Sequence, residues 1–320
     1  MNIPRGKHSI IEDGSGIVGI SMLIYVLLNY SLSQLATYIK QYFQASAMVY
    51  TSTVIDINIY LITFIITIYL MRDTYSVNYP AITLKNLLLT LPIFFASFIL
   101  TGYVNSFSID FFSSIGIYGA ASSHDVPKDT FSIFLFLLQY VLLPAVFEET
   151  LFRGVMLKRL VGYGAFKAII MSSSIFALLH FSIPSLPVVF LMGVLFSYLT
   201  LRMKSLMPAM ILHFLHNLTV TFLNEFRVYF SVEFVINIAN YIAILGITSL
   251  SYFGFMFPVL FMQGTLGETL RVDPAAVLES SQDKGTKHIR ISPFFTILIL
   301  LVVIIILTLE FLPRILSKAV

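Results

Sequence analysis

The stretch FSIFLFLLQYVLLPAVFEETLFRGVML, residues 131–157, decides how this chain is read. It is apolar over the length a bilayer crossing demands, roughly 17–25 residues, yet it carries Glu148, Glu149 and Arg153 near its end. An ionised side chain at membrane depth costs a few kcal/mol unless it finds a partner, so each one marks a candidate functional position. Whether hydrocarbon is the surrounding medium depends on the rest of the chain.

Composition answers that. Of 320 residues, 58% are hydrophobic and 11% are charged, and the mean hydropathy is +0.91. Soluble domains average about 25% charged residues, so this chain has too few charges to cover a water-facing surface. The reading is an all-α, polytopic membrane helix bundle. Apolar runs at 17–39, 54–71, 87–104, 131–157, 166–183, 186–201, 206–223, 232–260 and 294–312 predict about nine transmembrane helices. The first run is too long for a cleaved signal sequence. The chain divides into three N-terminal helices with their loops (1–130), a chemistry-bearing core (131–223), and two C-terminal helices (224–320) joined by a polar loop at 261–293.

Charge placement orients the bundle. With the N-terminus cytoplasmic, Arg72, Lys85, Lys158, Arg159, Lys167, Arg202 and Lys204 fall on the inner side, and the acidic stretch holding Asp110, Asp125 and Asp129 falls outside. The formal charge of +3 is unremarkable for a membrane protein, and no basic run suggests a nucleic-acid partner. With no cysteine, any nucleophilic or metal chemistry must come from histidines, carboxylates or hydroxyls.

Spacing then relates the polar residues in the apolar runs. Glu149 and Arg153 are one helical turn apart and are expected to form an ion pair, which leaves Glu148 pointing about 100° away. Phe176 precedes His180 by one turn, and His213 precedes Asn217 by one turn. Counted at about 1.5 Å per residue from the nearest cytoplasmic-side charge, Glu148, His180 and His213 all reach roughly the middle of the bilayer. His216 lies outside this pattern and is read as a packing residue.

Glu-Glu-x-x-x-Arg (Glu148, Glu149, Arg153), Phe-x-x-x-His (Phe176, His180) and His-x-x-x-Asn (His213, Asn217), on successive helices in that order, resemble the signature of the CPBP family. This is the Abi-type group of membrane proteins that includes type II CAAX prenyl endopeptidases and bacterial relatives linked to bacteriocin self-immunity and peptide processing. The resemblance implies an intramembrane endopeptidase acting on a hydrophobic peptide or membrane-anchored protein. The implied catalytic residues are Glu148, His180, His213 and Asn217, with Glu149, Arg153 and Phe176 in support.

Hydrolysis needs an activated water and donors for the developing oxyanion. In a metal-free version Glu148 is the base, His180 shares the water, and His213 and Asn217 donate to the tetrahedral intermediate. In a metalloprotease version Glu148, His180 and His213 ligate zinc, although the usual H-E-x-x-H pattern is absent. The Cys-free, Ile-, Phe- and Tyr-rich composition is read as bacterial, which argues against a prenylated substrate. Two other classes compete: a non-catalytic membrane scaffold that binds a membrane or envelope protein, and an ion transporter, which needs polar groups spanning both sides of the membrane.

Overall fold

A computed structural model describes residues 83–118, 128–161 and 164–262, with isolated helical positions between 27 and 65 and between 301 and 305. The helices expected at 17–39, 54–71 and 294–312, and the polar loop between the last two expected helices, lie outside the described residues apart from those isolated positions. Among the described residues the architecture is all-helical. Six helices follow in order: α1 Leu84–Ser114, α2 Thr130–Leu157, α3 Ala165–Leu178, α4 Leu186–Met203, α5 Met207–Asn224 and α6 Val232–Met262. A turn of α-helix, Lys158–Leu160, closes α2.

Four of these helices are long and apolar enough to cross a membrane: Leu87–Ser114, Thr130–Leu157, Leu186–Met203 and Val232–Gly254. The described residues therefore account for four candidate spans, not the nine expected. The difference has two sources here besides the residues outside the description. Helix α3, with 14 residues, is shorter than a full crossing, and α5 carries the polar residues of the site.

Two boundaries differ from the sequence reading. Helix α1 was expected to end at Val104, where Asn105, Ser106, Ser108 and Asp110 interrupt the apolar run, but it continues to Ser114. Its polar groups find partners: Ser108 Oγ donates to the Pro184 carbonyl, and at the helix end Ser113 Oγ donates to the Asp110 carbonyl at 2.9 Å and Ser114 Oγ to that of Phe111 at 2.7 Å. The helix closes with paired bonds from Ile117 N to Phe112 O and from Gly116 N to Ser113 O, with Gly116 at φ 80°. Glycine adopts that left-handed cap without strain. The other difference is in α3, which stops at Leu178 instead of reaching Ile183, so His180 sits in a turn after the helix and not within an apolar span. Pro184 has no N–H for a helical ladder and restricts Ile183 before it, and Phe181 turns the chain with φ 50°.

Helix α2 is wound unusually. After an α-helical start at Thr130–Leu137, capped by Asp129 Oδ1 accepting from Ser132 N at 2.9 Å, it runs as π-helix through Leu138–Leu142, Pro144–Glu148 and Thr150–Leu157. Pro144 has no N–H to give to an α-helical ladder, and a shift of hydrogen-bond register accommodates it. Short π stretches in helices concentrate at functional positions. Here they span Glu148, Glu149 and Arg153.

Packing places that segment centrally. Helix α2 packs against α3 and α5, α3 against α4, and α1 against α4, α5 and α6. The approach of α6 to α1 is close at Gly246, where a Cβ would strike Ile99 Cγ1 and come within 2.9 Å of the Phe95 carbonyl. Two apolar clusters result. One joins the end of α2 to α3 through Phe152, Met156, Leu157, Ala168 and Phe176; the other joins α1, α4 and α5 through Phe94, Met192, Phe196 and Leu212. The polar groups of α2 and α5 meet along the seam between these clusters.

Candidate active site

The centre of the seam is an ion pair with no access to solvent. Glu149 and Arg153 are both 0% exposed, and Arg153 Nη1 donates to Glu149 Oε1 at 2.9 Å. The expected turn-spaced pair is therefore present. Arg153 also donates from Nη2 to the Gly193 carbonyl on α4 at 3.3 Å. Gly193 also lets α4 pack closely on α3, where a Cβ would lie 3.0 Å from Ser173 Cβ. The guanidinium lies over three aromatic rings, with its carbon 4.3 Å from the centroid of Phe176, 5.3 Å from Phe196 and 5.8 Å from Phe152. A cation over ring faces, desolvated, gains up to about 2 kcal/mol from each favourable contact. One side chain from α2 thus ties together α2, α3 and α4.

The same carboxylate oxygen reaches α5. His213 Nδ1 lies in hydrogen-bonding contact with Glu149 Oε1 at 2.8 Å. The His213 ring stacks on Phe196, with centroids 5.4 Å apart and planes 27° apart, and meets Phe176 edge-on at 6.2 Å. The second glutamate of the pair, Glu149, is therefore the one joined to the histidine of α5, a contact that sequence spacing does not reveal. Phe196 and Gly193 belong to no motif, so sequence reasoning did not select them either.

His180 arrives from the turn after α3. Its Nδ1 lies 2.9 Å from the Phe176 carbonyl; a carbonyl only accepts, so Nδ1 carries the hydrogen and Nε2 is left as an acceptor. The ring sits edge-on to Phe176 at 4.8 Å, and the residue is exposed. Glu148, half-buried on α2, lies within electrostatic range of His180, as do His213 and Arg153. The turn itself is anchored to α1: Ser108 Oγ donates to the Pro184 carbonyl at 2.6 Å in a buried bond. Asn217 stands one turn beyond His213 on α5, half-buried. His216 faces α1, edge-on to Phe98 at 5.5 Å, which is a packing environment.

Thus Glu149, Arg153, His213 and Phe176 are in direct contact, and Glu148 and His180 lie beside them. The zinc version requires Glu148, His180 and His213 to gather as ligands. Among the described residues no three His, Asp or Glu side chains are grouped to hold a metal ion.

Residues 130–219 match the family model described as type II CAAX prenyl endopeptidase, Rce1-like. The matched segment contains all seven motif residues, from Glu148 to Asn217, so the chain resembles the CAAX-protease group over the segment that holds those motifs. Comparison with curated proteins and with solved structures gave no match.

Proposed function

We propose, with the Rce1-like match as premise, that this chain is an integral membrane endopeptidase that hydrolyses a peptide bond in a hydrophobic or membrane-anchored substrate at a site formed by α2, α5 and the turn after α3. The observation that supports this reading is the buried cluster in which Glu149 joins Arg153 and His213, inside the matched segment, with His180 beside it on Phe176 and its Nδ1 engaged by the Phe176 carbonyl.

In this reading a water held between Glu148 and His180 Nε2 loses a proton to the Glu148 carboxylate while its oxygen bonds to the scissile carbonyl carbon. A tetrahedral oxyanion forms, and Asn217 donates to it from α5. Collapse breaks the carbon–nitrogen bond as Glu148 returns the proton to the leaving amine, and the carboxylate is regenerated. Arg153 and Glu149 touch no reacting atom; they fix α2 against α4 and α5. No step is routed through a metal ion.

The substrate is expected to enter laterally between helices or from the cytoplasmic side, with the N-terminus of the chain cytoplasmic. A prenylated C-terminal peptide, suggested by the family's name, and an unmodified hydrophobic peptide are the two substrate chemistries to offer. The test is incubation of purified protein in liposomes with both peptide types, with products identified by mass spectrometry. Cleavage by wild type and none by Glu148→Ala supports the reading, whereas equal product from both proteins overturns it.

A further inference from the structure

Helix α1 buries three hydroxyls on one side: Thr90, Thr101 and Ser108. Thr90 Oγ1 donates to the Leu87 carbonyl and Thr101 Oγ1 to that of Ser97, the usual way a hydroxyl is satisfied inside a helix. Ser108 differs. Its Oγ leaves the helix and donates to the Pro184 carbonyl at 2.6 Å, in a buried bond. Pro184 precedes the Ser185 cap of α4, so this carbonyl stands ahead of the α4 ladder. A carbonyl buried there needs a donor from elsewhere in the fold, and α1 supplies it.

The same turn carries His180. The His180 ring rests on Phe176, through the carbonyl at 2.9 Å and the ring edge at 4.8 Å, but the residue is exposed, so its place depends on the backbone beneath it. Phe181, the next residue, holds φ 50°, a left-handed conformation that a bulky side chain keeps only where its surroundings impose it. Two holds act on this backbone. Phe181 and Ile183 pack against the apolar cluster of α2 and α3, and Ser108 pins Pro184 from the side of α1.

We infer that Ser108 is a positioning residue for the endopeptidase site: by holding the Pro184 carbonyl it sets where His180 stands relative to Glu148. Helix α1 is then part of the catalytic unit, although it lies outside the matched residues 130–219. The inference rests on the endopeptidase reading and adds to it a side chain that touches neither substrate nor reacting atoms. A displacement of about 1 Å at a reacting group lowers a rate by as much as about 10²-fold. Loss of the Ser108 hydroxyl therefore acts on kcat and leaves KM in place.

The test uses full-length protein in liposomes with three substitutions. Ser108→Ala removes the hydroxyl, Ser108→Thr keeps it, and Ser108→Val has the shape of threonine without it. Ser108→Ala is expected to show kcat lowered by about 10–100-fold at unchanged KM, and Ser108→Thr to cleave faster than Ser108→Val. A wild-type kcat in Ser108→Ala, or equal rates for the threonine and valine variants, overturns the inference. A second measurement needs no substrate. In protein with isotope-labelled histidine, the His180 ring signals are identified by their loss in His180→Gln, and those of His216, which packs against Phe98 elsewhere on α1, serve as the control for an intact fold. Ser108→Ala is expected to shift or broaden the His180 signals and to leave those of His216 in place; unchanged His180 signals overturn the inference. A wild type that cleaves no peptide while His180 responds to Ser108→Ala supports the anchoring of the turn and overturns the proposed function.

Discussion

Arg153→Ala is the perturbation whose size the structure best defines. The substitution removes the Nη1 bond to Glu149 at 2.9 Å, the Nη2 bond to the Gly193 carbonyl at 3.3 Å and the packing against the Phe176 ring at 4.3 Å. Glu149 stays behind, fully buried, in contact with His213 Nδ1 and without the guanidinium. Removing one member of a buried ion pair costs about 3–5 kcal/mol. At roughly 2–4 °C per kcal/mol for a chain of this size class, that corresponds to a fall in melting temperature of about 6–20 °C. The assay is thermal unfolding of purified protein in a fixed detergent, followed by intrinsic tyrosine fluorescence. Arg153→Lys tests the reasoning further: a lysine retains the charge but not the planar fork that reaches Glu149 and Gly193 together, so it should fall between wild type and alanine. The paired Glu149→Leu, Arg153→Met variant should be more stable than Arg153→Ala alone, because no uncompensated charge remains. A melting temperature for Arg153→Ala within a degree or two of wild type would refute the structural role assigned to the pair.

Three further outcomes follow from specific contacts. Gly246→Ala should destabilise by about 1–3 kcal/mol, as overpacking does, because the new methyl collides with Ile99 and approaches the Phe95 carbonyl; Gly102→Ala, with nothing within 4 Å of the new methyl, should not, and the two melting curves make the comparison. Gly193→Ala should press on Ser173, 3.0 Å away, and displace the carbonyl that holds Arg153, lowering both melting temperature and cleavage rate. Asn217→Ala should lower kcat by about 10²–10³, the usual effect of removing one oxyanion donor, with little change in KM or in melting temperature.

What could be read in the sequence was what repeats along a helix. Apolar runs placed the starts of α2, α3, α4, α5 and α6 to within a residue or so, and a four-residue spacing predicted the Glu149–Arg153 contact. What could not be read depends on neighbours remote in the chain. Periodicity separates Glu148 from Glu149 by about 100° but does not say which of them faces α5; that is decided by the register in which α2 and α5 pack. The π winding of α2 has one visible cause in the sequence, Pro144, and the rest of its register leaves no local trace. The end of α3 was missed because Phe181 and Ile183 kept the run apolar, although Ser182 and Pro184 were there to stop the helix. The aromatic setting of Arg153 was half legible: Phe176 came with its motif, whereas Phe196 reads as one more apolar residue in an apolar helix.

The central claim is that Glu148 activates water for peptide hydrolysis, and Glu148→Gln tests it most directly, since the amide keeps the size and hydrogen-bonding capacity of the side chain and removes its basicity. The measurement is the single-turnover rate of cleavage of one identified peptide by wild type and by Glu148→Gln, both purified identically and matched for melting temperature. The account predicts a rate lower by about 10²–10⁴, the span attributed to a positioned general base, with melting temperature unchanged. Cleavage by Glu148→Gln at the wild-type rate would contradict it.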